Sequence, residues 1–360
     1  MKHKIHLQFF ADPGAVINTL TNGYADTTTG DTQPFDGVNS LSGELKTFYD
    51  TELLENARVE MFYAQFGKKQ ALPAKHGNTV EWRKWNTFAK AEKLEEGVIP
   101  TGQKFGMSTK TGSIEQYGTY AAITDTLELR AYDDTILGAT EEMGASAAET
   151  QETLIRDALL VNTNVFYCDN VSLADGSTVS TPTAPGEMEA TAETMSALTP
   201  QMVSKAVTKM KKDRVPTIGG KYYAVVHPSV AHDLRNSKEW IEAHKYAAPG
   251  ELFNGEIGEL HNCRFIENVF APILGGEYAN KAGGVTYATY FFGKDSFGII
   301  DPEGGALRMI VKSKEQAGGP LDQFSTVGYK FETNGATILY PERVLRVMSC
   351  SSYSAIDEAN

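Results

Sequence analysis

The chain has 360 residues, of which 41% are hydrophobic and 22% are charged, an ordinary composition for a soluble globular protein. Its formal net charge of −13 argues against a dedicated nucleic-acid-binding protein, because phosphate recognition needs a basic surface. Three widely separated cysteines, Cys168, Cys263 and Cys350, do not make a disulfide framework and fit a reducing compartment. Since no stretch approaches the ~20 apolar residues of a membrane-spanning helix, we predict a cytoplasm-like location and no membrane partner.

The first third of the chain begins with a segment, residues 1–40, that is rich in Gly, Pro and Thr and poor in large apolar residues. We predict an arm that is disordered or ordered only against a partner. Its opening apolar run is too short for a signal peptide and is broken by His6 and Gln8. Residues 41–66 then show apolar residues at helical spacing, which predicts one or two helices ending at Gly67.

Residues 68–123 are punctuated by glycines and contain two strand-like runs, at 79–85 and 113–124, on either side of a charged piece at 90–97. This pattern predicts an extended hairpin with a long polar tip. A loop of such length is typically functional or ordered by a partner. Trp82 and Trp85 lie in the first run, and two interpretations stay open: packing within the hairpin, or anchoring on an adjacent subunit.

The strongest helical pattern covers residues 132–165, where apolar residues recur on one face. Between residues 133 and 157 it carries seven acidic residues and a single basic residue, Arg156. One side of this helix is therefore expected to face solvent or a basic partner surface.

An α/β portion follows a predicted surface loop at 175–194. Thr199 and Pro200 predict a helix start, a strand is expected at 221–228, and Ser229 is expected to cap a second helix. The first of these helices ends in a basic cluster, which is interpreted either as a solvated helix end or as a contact with an acidic neighbour or packaged nucleic acid. The cluster comprises Lys205, Lys209, Lys211, Lys212 and Arg214.

The last hundred residues return to strands, predicted at 285–293, 306–312 and within 324–349. Asn334-Gly335 is a candidate tight turn between two of them. The predicted fold class is α+β, with one long helix and antiparallel sheets.

No catalytic, cofactor-binding or metal site is predicted. His227 and His232 do not have the spacing of a zinc-binding helix, and His261 and Cys263 lack the strand-to-helix elbow of an activated nucleophile. Phosphate-binding loops and the GxSxG pattern are absent from the sequence. The sequence therefore predicts a structural or binding role, and no enzyme activity.

Several phrases in a fixed order carry a family resemblance. They are SGELKTFYDTELLENAR, TVEWRKW, LEEGVIPTGQK, SIEQYGTYAAITDTLEL, VHPSVAHDLRNSKEW and FFGKDSFGIID. From about residue 41 to 348 the chain resembles the major capsid proteins of tailed bacteriophages, in the podovirus-type branch.

The resemblance implies the phage major capsid (Johnson) fold, with an N-terminal arm, an extended E-loop hairpin, a long spine helix in a P domain and a compact α/β A domain. Carried over to this sequence, the expected parts are an arm at 1–40, a P-domain helix at 41–69, the E-loop at 70–122, the P domain with spine helix at 123–197, the A domain at 198–320, and P-domain strands with a C-terminal tail at 321–360.

The function implied by the resemblance is self-assembly into hexamers and pentamers that form the icosahedral head shell around double-stranded DNA. The implied partners are a scaffold protein, a portal and decoration proteins, with non-specific proximity to packaged DNA; the implied location is the virion capsid, and the host cytoplasm during assembly, with procapsid maturation. The alternative is an encapsulin-type compartment of the same fold. Inter-subunit contact candidates are Trp82, Trp85, Lys90, Lys93, Glu95 and Glu96.

Overall fold

A computed structural model describes residues 17–18, 61–86, 88–91, 93, 99, 102–131, 135–237, 240, 256–317 and 321–360. The predicted arm at 1–40, apart from two residues, and the predicted helix from 41 to 60 therefore lie outside the described residues.

The described residues form helices α1 (Asp125–Arg130), α2 (Thr135–Leu160), α3 (Pro200–Lys212) and α4 (Pro228–Arg235). The strands are β1 (Ile17–Asn18), β2 (Lys68–Leu72), β3 (Thr79–Trp85), β4 (Met107–Ser113), β5 (Glu115–Thr124), β6 (Val165–Tyr167), β7 (Asn170–Ser172), β8 (Thr178–Ser180), β9 (Thr194–Met195), β10 (Tyr222–Val226), β11 (Glu256–Leu260), β12 (Cys263–Glu267), β13 (Ile273–Leu274), β14 (Thr286–Phe292), β15 (Phe297–Pro302), β16 (Arg308–Lys312), β17 (Phe324–Thr333), β18 (Thr337–Ile338) and β19 (Val344–Ser349). Short 3₁₀ turns occur at Tyr63–Gln65, Pro185–Glu187, Gly276–Tyr278 and Pro341–Arg343.

The chain divides into two compact units. The first comprises residues 1–60, 116–150 and 305–332, and the second comprises residues 61–115, 151–304 and 333–360.

The largest sheet belongs to the second unit and has the order β11-β12-β10-β14-β19-β6, with β13 also pairing with β14. The pairs β10–β12 and β19–β6 are parallel, whereas β14 is antiparallel to β10, β13 and β19. This sheet is therefore mixed, and the prediction of antiparallel sheets was wrong for it, whereas the β3–β4 and β8-β7-β9 sheets are antiparallel and the α+β class holds. Parallel pairing arises because crossover connections containing helices bring the chain back in the same direction.

Helices α3 and α4 supply the apolar cluster on this sheet, where Val203 and Val230 are buried with Phe291 of β14. The predicted start of α3 is confirmed, since the Thr199 hydroxyl accepts a hydrogen bond from the Met202 N–H at 3.4 Å. The cap of α4 is one place where the prediction was wrong. His227 caps it instead of Ser229, because the His227 Nδ1 accepts a hydrogen bond from the Ser229 N–H at 3.2 Å.

The long helix α2 is shorter at its C-terminal end than predicted, ending at Leu160 before the strand β6. Two asparagines explain the early end, since the Asn162 and Asn164 amides donate to the Val344 carbonyl at 2.6 and 3.1 Å. The Asn162 carbonyl oxygen also accepts from the Asn164 N–H at 3.2 Å, and local side-chain bonds of this kind compete with helical hydrogen bonds. Residues 132–134 of the prediction lie outside the described part of the chain.

The first unit holds a sheet with the order β1-β5-β17-β16. Its small core joins Ile123, Leu127 and Val327, with Ile136 and Met143 of α2 packed against them. Strands β5 and β17 approach closely at glycines, since a Cβ on Gly328 would lie 2.7 Å from the Thr119 carbonyl oxygen.

The tight turn predicted at Asn334-Gly335 does not occur, because residues 334–336 form neither a turn nor a bend, although Gly335 has a φ of 61°. Strand β17 pairs with β16, whereas β18 pairs with β15. The Asn334 side chain explains the arrangement because its carbonyl oxygen accepts from the Ile300 N–H of β15 at 2.8 Å. This hydrogen bond fixes the segment between β17 and β18 on β15 of the β18-β15-β2 sheet.

Candidate inter-subunit contact site

The hairpin formed by β3 and β4 is the candidate contact site. The strands pair in an unbroken antiparallel register from Thr79 opposite Ser113 to Trp85 opposite Met107. The first strand was predicted correctly, but the second was not, because the predicted run at 113–124 is largely β5 and lies in another sheet. Strand β4 reads MSTKTGS, and this polar sequence lacks the apolar alternation of a half-buried strand.

Trp82 fixes the base of the hairpin to its own chain. A Cβ built on Gly298 of β15 would lie 2.7 Å from the Trp82 ring, and one on Gly112 of β4 would lie 2.9 Å from it. Both positions therefore require glycine for the ring to pack. The Trp82 indole nitrogen is buried without a hydrogen-bond partner among the described residues. Of the two interpretations of Trp82, this geometry favours packing, although onto β15 as well as within the hairpin.

A second anchor lies on the same face of β3. The Lys84 ammonium is 3.2 Å from a Glu342 carboxylate oxygen and 4.4 Å from the centre of the Tyr340 ring. Burial acts to raise the pKa of the Glu342 carboxyl, but a hydrogen bond to its own backbone and the hydrogen bond and charge of Lys84 together lower it. Together with Trp82, this ion pair fixes the inner face of the hairpin.

Trp85 points to the opposite face from Trp82 because successive strand residues alternate. The Trp85 ring stacks on the Phe105 ring, with centroids 4.2 Å apart. The Phe88 ring also stacks on Phe105, with centroids 5.4 Å apart. We call these three residues the aromatic stack. Their exposed fractions are 61% for Trp85, 59% for Phe105 and 55% for Phe88. An exposed apolar patch of this kind is typical of an interaction surface.

Phe88 and Phe105 were missed in the sequence, because isolated phenylalanines in a Gly-rich, polar stretch give no periodic signal. Their unusual presence in such a stretch is the signal that identifies them. Lys90 and Lys93 are exposed on the part of the hairpin beyond β3, whereas Glu95 and Glu96 lie outside the described residues.

The cysteine thiols and the possible metal ligands do not form a catalytic or metal site in the described part of the chain. All three cysteines are buried and unbonded. Burial raises the pKa of the Cys168 and Cys263 thiols well above the usual value and that of Cys350 to about 12. Thiols in such surroundings are poor nucleophiles. The described residues contain no group of three or more His, Cys, Asp or Glu side chains able to hold a metal ion.

Two residues of the basic cluster on α3, Lys205 and Lys209, contact side chains of their own chain. Lys205 pairs with the buried Asp169, and Lys209 contacts the Asn164 side chain and lies 4.0 Å from Asp213. These contacts favour the interpretation of a helix end satisfied within the subunit. Among the described helices, none has the length and apolar character needed to cross a membrane.

Solved capsid structures share this fold. The capsid of cyanophage Pam1 has a TM-score of 0.64 at 14% identity, covering 88% of this chain and 98% of that chain. The capsid of cyanophage P-SCSP1u gives 0.61 at 14% identity, covering 85% and 93%. The acid-stable capsid of Helicobacter pylori bacteriophage KHP30 gives 0.62 at 11% identity, covering 86% and 97%. These likenesses confirm the capsid fold expected from the sequence.

A search of curated proteins finds no match. The profile of the phage capsid protein family, in contrast, matches residues 108–331, which is more than half of the chain. The match runs from β4 through α2, α3 and the central sheet strands to β17. The chain belongs to the phage capsid protein family.

Proposed function

We propose that the chain is the major capsid protein of a tailed phage and that its copies assemble, as hexamers and pentamers, into the icosahedral shell of the head. Membership of the phage capsid family supports this function. In the proposed assembly mechanism the aromatic stack is the contact surface, because its three exposed rings form an apolar patch that another copy would cover. The role is structural, without an enzymatic step.

The two parts of the hairpin have different roles in this mechanism. Trp82 and Lys84 hold its base on β15 and Tyr340 of the same chain, so that the outer part is presented in a fixed direction. A preorganised surface binds more tightly than a mobile one, since less conformational entropy is lost on binding. We therefore assign β3, β4 and the residues between them to the E-loop, within the proposed boundaries 70–122.

The remaining domain assignments are part of the same proposal. The P domain contains α2 as its spine helix within 123–197, and the A domain at 198–320 contains α3, α4 and most of the large sheet. The net charge of −13 suits a shell that encloses double-stranded DNA without binding it tightly. A scaffold protein, a portal and decoration proteins are proposed partners, during assembly in the host cytoplasm and in the virion.

The test is a double variant in the aromatic stack, Trp85→Ala with Phe105→Ala, expressed as the full chain. We expect a folded, soluble subunit that forms no regular shells by electron microscopy and sediments as small species. The matched control is Leu173→Ala with Val179→Ala, which removes two similarly exposed apolar side chains, one directly after β7 and one in β8. Shells of normal size and yield from the stack variant would contradict the assembly mechanism.

The encapsulin alternative is not favoured, because the matching family and the similar solved structures are those of phage capsids. Encapsulation of a cargo enzyme in place of DNA would be the result that restores it.

A further inference from the structure

Among the described residues, the sheet of the first unit ends at an unpaired edge. Strand β16 pairs with β17 on one side and is terminal in the order β1-β5-β17-β16. All five of its residues are exposed, including the apolar Met309, Ile310 and Val311. An exposed apolar edge strand is a template for pairing with another chain, because its outward N–H and C=O groups lack partners in the sheet.

The layer between this sheet and α2 is incomplete at the same edge. Met309 and Val311 lie opposite Tyr329 and Val327 in the register and share their face. Tyr329 marks that face as the one towards α2, since its hydroxyl is 3.2 Å from the Ser146 hydroxyl. Val327 is fully buried there, yet Val311 beside it is 49% exposed. One further strand beside β16 would cover Met309 and Val311.

The opposite face of β16 is cationic. Arg308 and Lys312 flank Ile310 on that face, and Lys330 of β17 lies directly opposite Arg308. Within the ranges that the structure describes, no carboxylate pairs with any of these three cations. A strand added at this edge would therefore gain cross-strand ion pairs if it carried carboxylates on the cationic face.

These charges also disfavour self-pairing of the edge. If two copies of β16 paired antiparallel about Ile310, Arg308 of each would lie opposite Lys312 of the other. Like charges directly opposite each other destabilise a strand pair. The edge is thus open to pairing but selective against a second β16.

We propose that β16 is a binding site for an extended strand from another polypeptide, whose side chains alternate between apolar residues on the α2 face and carboxylates on the face of Arg308 and Lys312. Backbone hydrogen bonds along β16 provide the affinity, and the alternation provides the specificity, as in other strand-addition interfaces.

The probe is the labelled heptapeptide Thr-Glu-Val-Thr-Val-Glu-Thr, which reads the same in both directions and so suits either strand polarity. Its counterpart replaces both Glu residues by Lys. Binding is measured by fluorescence anisotropy to the full chain, dispersed at low concentration and checked by sedimentation. We expect the acidic peptide to bind the wild-type chain at least about tenfold more tightly than the basic peptide.

Two variants test the geometry. The double variant Arg308→Glu with Lys312→Glu is expected to reverse the preference, so that the basic peptide binds more tightly. Val311→Lys places a charge on the apolar face of the edge and is expected to abolish binding of the acidic peptide. Val179→Lys is the matched control, because Val179 is an exposed valine on another edge strand, β8, and its variant should bind as the wild type does.

An unchanged preference in the charge-reversal variant, binding by Val311→Lys equal to that of Val179→Lys, or no binding of the acidic peptide to dispersed subunits would overturn the proposal. If the wild-type chain self-associates and Val311→Lys but not Val179→Lys disperses it, the strand comes from a second copy of this chain. The peptide would then compete with self-association, which supports the same site. The peptide assay is read on dispersed subunits, so its outcome does not depend on shell formation.

Discussion

Two strands of similar length, β14 and β4, differ in how far their residues are exposed to solvent. All seven residues of β14 are buried, because the strand has neighbours on both sides and helices over its face. In β4, six of the seven residues are exposed, and β3 is its one strand partner in the described part of the chain. The large sheet buries its central strand within one chain, whereas the hairpin leaves β4 exposed. If the hairpin makes the proposed assembly contacts, the subunit keeps its stability and those contacts in different parts of the sequence.

The largest expected effect tests this separation directly. Phe291→Ala in β14 removes a fully buried ring that lies edge-to-face on Phe265 at 6.1 Å, and should lower the free energy of unfolding by about 3–5 kcal/mol. Phe105→Ala in the aromatic stack should lower it by no more than about 1 kcal/mol, because the ring is already mostly in water. Urea denaturation of dispersed subunits measures both.

Shell formation should follow the reverse order. The Phe105→Ala subunit, although nearly as stable as the wild type, is expected to assemble poorly. Equal losses of stability in the two variants would show that the hairpin belongs to the folded core, and the separation of the two functions would be wrong.

The regions that the sequence predicted well are those completed within the chain. The strands at 222–226 and 286–292 and the start of α3 follow from apolar runs and a Thr-Pro cap, which act locally. Most residues of these two strands are buried, so that their apolar composition alone identifies them.

The regions that failed depend on distant residues. The pairing of β3 with β4 could not be predicted because β4 has almost no apolar content, and its position depends on the fit of Trp82 against Gly298. The end of α2 likewise depends on the Asn162 amide reaching the Val344 carbonyl, across 182 residues of sequence. Long-range side-chain contacts of this kind leave no periodic pattern in the sequence.

The second prediction concerns Gly298 of β15, on which the Trp82 ring at the base of the hairpin packs. A methyl group there would meet the Trp82 ring at 2.7 Å, so Gly298→Ala must displace the ring or strand β15. We expect a loss of about 1–3 kcal/mol of stability, the range for overpacking. The maximum of tryptophan emission should shift to the red in this variant, because the Trp82 indole becomes more exposed to water.

The matched control is Gly102→Ala, because a Cβ at Gly102 meets no atom within 4 Å. That variant should leave both stability and emission unchanged. If Gly298→Ala behaved in the same way, the base of the hairpin would not be anchored by Trp82.

The smallest predicted effect lies at a buried carboxylate in the well-packed region. Glu152 of α2 is fully buried, and its Oε1 accepts hydrogen bonds from the Phe62 and Tyr63 N–H groups at 3.1 and 3.2 Å and from the Asn268 amide at 2.7 Å. Its other oxygen has no partner among the described residues. Burial raises the pKa of the Glu152 carboxyl, and the three hydrogen bonds, which favour the charged form, only reduce the shift.

The sign of the pH dependence follows from this competition. Because the folded state binds the Glu152 proton more tightly than the unfolded state does, its contribution to stability is complete below the usual pKa of Glu and is lost as pH rises through the raised value. Glu152→Gln keeps an acceptor oxygen for all three donors and cannot ionise. The variant should therefore match the wild type at acid pH and become the more stable of the two as pH increases, in urea titrations across the range. The opposite result would be a wild type that becomes more stable than the variant as pH rises. It would mean that the three hydrogen bonds lower the pKa of Glu152 by more than burial raises it, so that the carboxylate is charged inside the subunit.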